Sequence, residues 1–342
     1  MLEALDLTGN PSSVHAAGRS ARRLLEAARA RVAACLDAMP ADLVFTSGGT
    51  EASSLAIHGL GAGRRIIIGA TEHDAVRAAA PGATILPVLA SGQADLAALD
   101  TLLRQGPALL CLMLANNETG VLHPVAEAAT LCRAHGALLH VDAVQAAGRL
   151  AFTCASLGAH SIALSAHKLG GPPGAGALVL APGLALAAQI AGGGQERGRR
   201  GGTPALPAIA GFAAAFQAAP GSVWLGSLRD RAEQVAVQAG AVVCGAGERL
   251  PNTTCLALPG VRADTQVIAL DLAGIAVSAG AACSSGKVAR SHVLEAMGLH
   301  ELAGCAIRVS LPWNTTQADI AAFGAAYCRL SPARADAMVL RS

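Results

Sequence analysis

The sequence predicts an α/β fold: a large domain whose mostly parallel central sheet is flanked by helices, followed by a smaller α+β C-terminal domain. Three observations carry this. Short apolar runs bounded by Gly, Pro or polar residues alternate with helix-like stretches through the first half of the chain, as expected for strands covered on both faces and joined by helical crossovers. The length of 342 residues exceeds the roughly 100–200 residues of one ordinary domain. Beyond about Pro220 the texture changes to a long polar-faced helix, scattered strand candidates and a terminal helix. The expected division is residues 10–215 for the large domain, and residues 1–9 with 216–342 for the smaller one.

Taken in order, Ser12 or Ser13 can cap a helix running to about Met39, because Leu24, Leu25, Ala28, Val32 and Leu36 recur at helical spacing with arginines between them. The buried-strand candidates are residues 43–46, 65–68, 84–88, 108–114, 137–141, 161–164 and 177–180. The segment from Ile190 to Pro207 is rich in Gly and Arg and reads as a loop that orders on binding. Residues 227–239 form the long helix of the smaller domain, whose strand candidates are residues 254–258, 276–278 and 306–311. No internal repeat is present.

Bulk properties exclude several classes of function. The net charge of +2 comes from 25 basic and 23 acidic residues spread along the chain, so nothing argues for nucleic acid or a charged membrane surface. The compact basic cluster, Arg197, Arg199 and Arg200, needs a local explanation. No apolar run reaches the 18 or so residues that span a bilayer, and MLEALDLTGNPSS holds acidic residues and no long apolar stretch, so a soluble chain without a secretory signal is expected. Nine cysteines, an odd number without a CxxC pair, fit a reducing cytoplasm better than a disulfide framework or a metal site. Cys35, Cys111, Cys132, Cys154, Cys244, Cys255, Cys305 and Cys328 read as core filler.

Chemistry concentrates where apolar runs end. In SIALSAHKLGGPPGAG a strand candidate delivers Lys168 into a turn of glycines and prolines, where backbone and ligand can approach closely. A lysine desolvated there has a lowered pKa and can form a Schiff base, which suggests pyridoxal phosphate. That cofactor asks for a carboxylate on its ring nitrogen and a cup for its phosphate. Asp142, in ALLHVDAVQ, is the carboxylate candidate, although alone it reads as well as a helix cap. The cup candidate is FTSGGTE, where Gly48, Gly49 and Thr50 lead from a strand into a helix N-terminus; it lacks the lysine of a nucleotide-binding loop. The clusters Thr71-Glu72-His73 and Asn116-Asn117-Glu118-Thr119-Gly120 also end apolar runs, where ligands of open α/β sheets gather. A further thiol, Cys283, sits in SAGAACSSGK among turn-forming residues that offer little to bury it.

Together GNPSSVHAAGR, FTSGGTE, TEHDAV, NNETG, HVDAVQAAG, SAHKLGGPPGAGAL, GGGQERGRRGGTP and SAGAACSSGKVARSHVLEAMG resemble cysteine desulfurases of the NifS/IscS type, which are class V, fold-type I pyridoxal phosphate enzymes. The resemblance runs in order from about Gly9 to Thr316. It implies that Lys168 is the Schiff-base lysine, that His73 stacks on the cofactor ring, and that Asp142 keeps the ring nitrogen protonated. It assigns Gln145 and Asn117 to the ring hydroxyl side or the substrate, and Gly49, Thr50, Ser165 and His167 to the phosphate. Thr203 is similar to the threonine that reaches the phosphate of the neighbouring subunit, which implies a homodimer. Arg308 resembles the arginine that forks onto the substrate carboxylate.

The implied reaction converts L-cysteine to L-alanine. Cys283 takes the sulfur as a persulfide and passes it to an acceptor serving iron–sulfur cluster, other sulfur-containing cofactor or tRNA biosynthesis. The sequence departs from the family pattern in several places: it lacks the upstream strand with an Asp-Asn/Ala-Ala-Thr-Thr-like signature, has Ser53-Ser54 where Asn-Asn is common, has Pro312-Trp-Asn314 where Gly-Arg-Phe is usual, and has Arg199-Arg200-Gly201-Gly202-Thr203 where Leu-Arg-Ser-Gly-Thr is commoner. None removes an assigned catalytic group. Two rivals stand beside this reading: another class V enzyme, such as an aminotransferase or a selenocysteine or cystine lyase, and a weakly active paralogue serving as a binding partner in sulfur trafficking. Cys283 separates the first, since a transaminase needs no thiol there.

Overall fold

Of the seven strands that the chain supplies up to residue 180, four are buried from end to end, which needs a sheet covered on both faces. In the computed structural model, which describes residues 1–219, 221–280 and 290–330, the seven are β1 (Leu43–Thr46), β2 (Arg65–Gly69), β3 (Thr84–Leu86), β4 (Ala108–Met113), β5 (Leu138–Asp142), β6 (Ser161–Ser165) and β7 (Gly176–Leu180). Their order across the sheet is β1-β7-β6-β5-β4-β2-β3. Only β7 runs against its neighbours, β1 and β6; the remaining pairs are parallel. The carboxyl ends of β1, β2, β4, β5 and β6 therefore share one edge of the sheet. Helix Gly49–Leu60 packs on β5, β6 and β7, and Ala52, Leu55 and Ile57 meet Val44, Leu109, Ala163 and Leu178 in one apolar cluster.

This sheet belongs to a compact unit formed by Met1–Leu86, Asp95–Leu114 and Pro124–Gly221. The second unit comprises Pro87–Ala94, Ala115–His123 and the described residues from Ser222 onward. It holds a four-stranded antiparallel sheet in the order β10-β11-β9-β8, with β8 (Val242–Cys244), β9 (Thr253–Ala257), β10 (Ser278–Ala279) and β11 (Ala306–Ser310). Helices Leu225–Gln238, Ala263–Leu272 and Gln317–Tyr327 bring Leu228, Leu270, Phe323 and Tyr327 into its core with Leu256 and Ile307. No described helix is long and apolar enough to cross a membrane.

The structure corrects several sequence-based boundaries. The first long helix spans Ala16–Ala34, not Ser12 to Met39, and its cap is His15, whose Nδ1 accepts from Gly18 N at 3.3 Å. Ser12 instead gives its amide to Asn10 Oδ1 in the preceding turn, and Asp37 with φ 52° lies in the left-handed region that ends a helix. Residues 1–9 fall in the first unit rather than with the smaller domain, because Leu2–Leu5 pack on helix Leu206–Ala218. Strand β8 has no counterpart in the sequence-based expectations; three residues are too few for an alternating pattern to show. Val88, expected at the end of β3, instead forms a bridge with Ala94 inside the second unit.

One buried ion pair fixes the glycine-rich segment to β1. Arg29 Nη1 and Nη2 donate to Glu196 Oε2 and Oε1 at 2.7 and 2.8 Å, and Glu196 Oε2 also accepts the Phe45 amide at 2.9 Å. Arg29 Nη1 further donates to Leu43 O, and the guanidinium lies over the Phe45 ring. These bonds hold Glu196 and Arg197 at φ 49° and 59°, a conformation that non-glycine residues adopt only when their surroundings impose it. Replacing one partner leaves the other charge buried and unpaired, so Arg29→Ala and Glu196→Ala should each lower unfolding free energy by about 3–5 kcal/mol. Glu196→Gln, which still accepts from Phe45, should cost less. Denaturant titration of the three variants checks this ranking; losses below about 1 kcal/mol for both alanine variants would contradict it.

Candidate active site

The cup begins where β1 stops. Beyond Thr46 the chain turns through Gly48 into helix Gly49–Leu60, and two glycines are dictated by close approach. A Cβ on Gly49 would sit 2.6 Å from Val144 Cγ2, and one on Gly176 would sit 2.6 Å from the Gly48 backbone. Ser165, the last residue of β6, lies beside this turn, its Cβ 3.5 Å from that same position on Gly49. Ser165 Oγ and His167 Nδ1 share a hydrogen bond of 3.0 Å. Burial and the nearby Lys168 both lower the His167 pKa, so the ring favours its neutral form. Gly49, Thr50, Ser165 and His167 are thus brought to one helix N-terminus whose amides and hydroxyls suit a phosphate.

The second group forms at the ends of β5, β4 and β2. Asp142 closes β5, is only 8% exposed, and accepts the Val144 amide at 2.9 Å. Burial raises its pKa, while the Val144 amide and the positive fields of His73 and Lys168 pull it back. Glu72 is wholly buried and accepts the Met113 amide at 2.7 Å; Met113 lies opposite Asp142 in the β4–β5 register. Burial, then the charge of Asp142, push the Glu72 carboxyl well up. Two carboxyls in one dry region cannot both ionise cheaply, so Glu72 keeps its proton and Asp142 carries the charge. His73 caps the helix Asp74–Ala79, accepting from Ala75 N through Nδ1 at 3.1 Å.

Lys168 lies in the turn Ala166–Leu169 that follows β6. Its carbonyl accepts from Arg149 Nη2 at 2.7 Å, and Arg149 Nη1 donates to the Gln145 carbonyl and to its Oε1. Arg149 thereby ties Gln145 to the lysine turn. Thr203 is exposed and lines a cleft with Phe45, Thr46, Ser47 and Arg200. Arg200 pairs with Glu51 at 2.7 Å, and Glu51 Oε2 accepts the Ser47 amide at 2.8 Å.

Arg308 and Asn117 come together in the second unit. Arg308 stands on β11 between Ser278 of β10 and Cys255 of β9. Its Nη1 donates to Asn117 O at 3.0 Å and its Nη2 to Ser278 Oγ at 3.2 Å, while Nε is buried with no hydrogen-bond partner among the described residues. The neighbouring Asn116 side chain accepts the amides of Glu118 and Thr119, both at 2.9 Å, and so shapes the turn that offers the Asn117 carbonyl. Cys283 lies outside the described residues.

Residue-by-residue reading missed Glu72, Arg149, Glu51 and Glu196. Glu72 had a signal, its place directly before His73 at a strand end; Glu51 and Glu196 pair with arginines 149 and 167 positions away, and Arg149 reaches the Lys168 carbonyl 19 positions on, which no local pattern encodes.

The family profile described as aminotransferase class-V matches residues 2–323. A cysteine desulfurase of Cereibacter sphaeroides is 42% identical over 333 residues, covering 91% of this chain and 86% of that protein. An IscS-like cysteine desulfurase of Mycobacterium tuberculosis is 37% identical over 340 residues, covering 91% of this chain and 86% of that protein. Among solved structures, a NifS-like protein from Rickettsia africae superposes with a TM-score of 0.89 at 33% identity, covering 96% of this chain and 93% of the other.

The Glu72–Asp142 arrangement makes a pH prediction. A carboxyl whose folded pKa is raised binds its proton more tightly folded than unfolded, so its cost to stability grows as pH rises from the unfolded value of about 4.3 toward the folded one. Glu72→Gln keeps an acceptor for Met113 and removes the titration. Its melting temperature without cofactor should exceed the parent's by more at pH 8 than at pH 5. An equal difference at both pH values would contradict the assignment.

Proposed function

Because the chain belongs to the class-V aminotransferase family, whose members are fold-type I pyridoxal phosphate enzymes, we propose that it is a cysteine desulfurase that converts L-cysteine to L-alanine and receives the sulfur on Cys283. The observation that carries the reading is the buried Asp142 within the positive fields of Lys168 and His73, at the same sheet edge as the Gly49 helix N-terminus. The donor set fits the cofactor: an anion cup, a buried carboxylate for a cationic ring nitrogen, and a lysine.

When bound, pyridoxal phosphate would supply an electron-withdrawing ring that stabilises negative charge at the substrate Cα. The chain's own groups do the rest. Lys168 would hold the cofactor through Nζ and would move the substrate Cα proton, assisted by His73. Asp142, ionised and buried, would keep a proton on the ring nitrogen. The Gly49 and Thr50 amides, the Thr50 hydroxyl, Ser165 and His167 hold the phosphate, joined by Thr203 of a second copy in a homodimer. Gln145 and Asn117 orient the ring and substrate.

Arg308 receives the substrate carboxylate, the Asn117 carbonyl and Ser278 Oγ having already oriented the guanidinium plane. The Cys283 thiolate then attacks the substrate sulfur. An S–S bond forms as the Cβ–S bond breaks, the electron pair stays with carbon, and carbon takes a proton to give alanine. Cys283 is left as a persulfide and delivers its sulfur to an acceptor protein, in a cytoplasmic setting, for iron–sulfur cluster or other sulfur-containing products.

Incubating the cofactor-loaded protein with L-cysteine should yield alanine and sulfide, with one added sulfur on the Cys283 peptide by mass. Cys283→Ala should keep cofactor absorbance and lose sulfide release, while Lys168→Ala should lose both cofactor linkage and turnover. Absence of alanine from the parent protein, or equal sulfide release from Cys283→Ala, would contradict the mechanism. Arg308→Ala should raise KM for L-cysteine by roughly ten- to a hundredfold, matching about 1.5–3 kcal/mol for a hydrogen bond to a charged group; an unchanged KM would remove Arg308 from substrate binding.

A further inference from the structure

Two cysteines that read separately as core filler stand directly opposite one another in the second unit. The β8–β9 register pairs Cys244 with Cys255, and one cross-strand row runs Ser278, Arg308, Cys255, Cys244 through all four strands. Directly opposed residues of antiparallel strands hold their Cα atoms about 4.5–5.5 Å apart, within the roughly 4.4–6.8 Å that a disulfide spans. Both are free thiols, and Cys244 Sγ donates to Val242 O at 3.8 Å.

The surroundings distinguish the two sulfurs. The neighbouring Cys255 thiol, opposed by burial, lowers the Cys244 pKa; the neighbouring Cys244 thiol, burial and the charge of Glu118 raise that of Cys255. Cys244 is thus the sulfur that ionises first. The Tyr327 hydroxyl lies within electrostatic reach of both thiols and is buried with no partner among the described residues. That unused hydroxyl can hydrogen-bond an oxygen placed on either sulfur. The pair packs against Ala257, Val293, Leu294 and Met297, so an oxidant must be small and uncharged. It also has a route in: β8 is the three-residue edge of its sheet, Val242 is 42% exposed, and the strand runs directly into Gly245 and Gly247, with φ 101° and 80°. Short edge strands of this kind open locally more readily than central ones.

We propose that Cys244 and Cys255 form a redox-active dithiol, oxidised reversibly to a cross-strand disulfide by hydrogen peroxide. The Cys244 thiolate attacks one peroxide oxygen and the O–O bond breaks. The departing hydroxide takes up the proton that Cys244 released and leaves as water, giving a sulfenic acid on Cys244. Cys255 then attacks the Cys244 sulfur; the S–O bond breaks, and the hydroxyl leaves with the Cys255 proton as a second water. Two electrons pass from the thiols to the peroxide, and a thiol reductant reverses the change.

The test treats the full chain with hydrogen peroxide, alkylates remaining thiols in denaturant, and digests without reduction. The expected product is a linked Cys244–Cys255 peptide pair, two hydrogens lighter than the separate peptides and lost on adding dithiothreitol. In Cys255→Ala the sulfenic acid should persist and take a dimedone label on Cys244; Cys244→Ala should give no label on Cys255. Recovery of Cys244 and Cys255 as separately alkylated thiols, after treatment that oxidises other cysteines of the same chain, would overturn the proposal. A label on Cys255 but none on Cys244 would overturn the assigned order. The linked-peptide measurement uses the unaltered protein and reads no turnover, so it stands apart from any variant's folding and from the desulfurase reading.

Discussion

A carboxylate buried at the end of a central strand is the constraint around which the first unit is arranged. Asp142 closes β5 with little access to water, and water is what ordinarily stabilises its charge. The structure supplies three substitutes, the Val144 amide and the fields of His73 and Lys168, and adds one adverse neighbour, Glu72, which holds its proton in consequence. The groups come from three strand ends: Glu72 and His73 after β2, Asp142 and Val144 at β5, and Lys168 after β6. Parallel β2, β5 and β6 must therefore be in register, and the buried residues of each strand enforce that register. A site left negative at a buried point is chemically unfinished; the cationic ring nitrogen of the proposed cofactor would complete it.

The turn after β1 is built by a different device, two arginine–carboxylate pairs that repeat one pattern. Glu196 takes Arg29 and the Phe45 amide; Glu51 takes Arg200 and the Ser47 amide. Both carboxylates thus grip alternate amides of the strand end leading into the cup, and both arginines bind segments distant in sequence to it. The basic cluster Arg197, Arg199 and Arg200, unexplained by overall charge, has local partners: Arg199 Nη2 and Arg197 Nη1 both donate to Ala41 O. Arg199, which stands where leucine is commoner in the resembled family, is therefore half-buried against β1 rather than offered to an anionic partner.

Much of this was legible from the residues because strand ends announce themselves. An apolar run that stops at Asp142, or at Ser165-Ala-His167-Lys168, marks both a strand boundary and the place where ligands collect. The rest was not, for identifiable reasons. Capping by His15 replaced a serine cap because a ring nitrogen can accept an amide as a hydroxyl does. Arg29 and Glu196 lie 167 positions apart, so neither carries a sign of the other. The opposition of Cys244 to Cys255 is a matter of register across a three-residue strand, invisible in a list of cysteines. Residues 87–94 and 115–123 join the second unit because their contacts are made there, whatever their neighbours in sequence do.

The chain offers an unusually direct test of the site. Of its 25 basic residues only Lys168 and Lys287 are lysines, so the cofactor has two side chains to choose between. Loading with pyridoxal phosphate, reducing with borohydride and mapping the added mass by peptide should place it on Lys168, with none recovered from Lys168→Arg. Mass on Lys287, or no covalent attachment in the parent protein, would contradict the assignment of Asp142, His73 and Lys168 to one cofactor site.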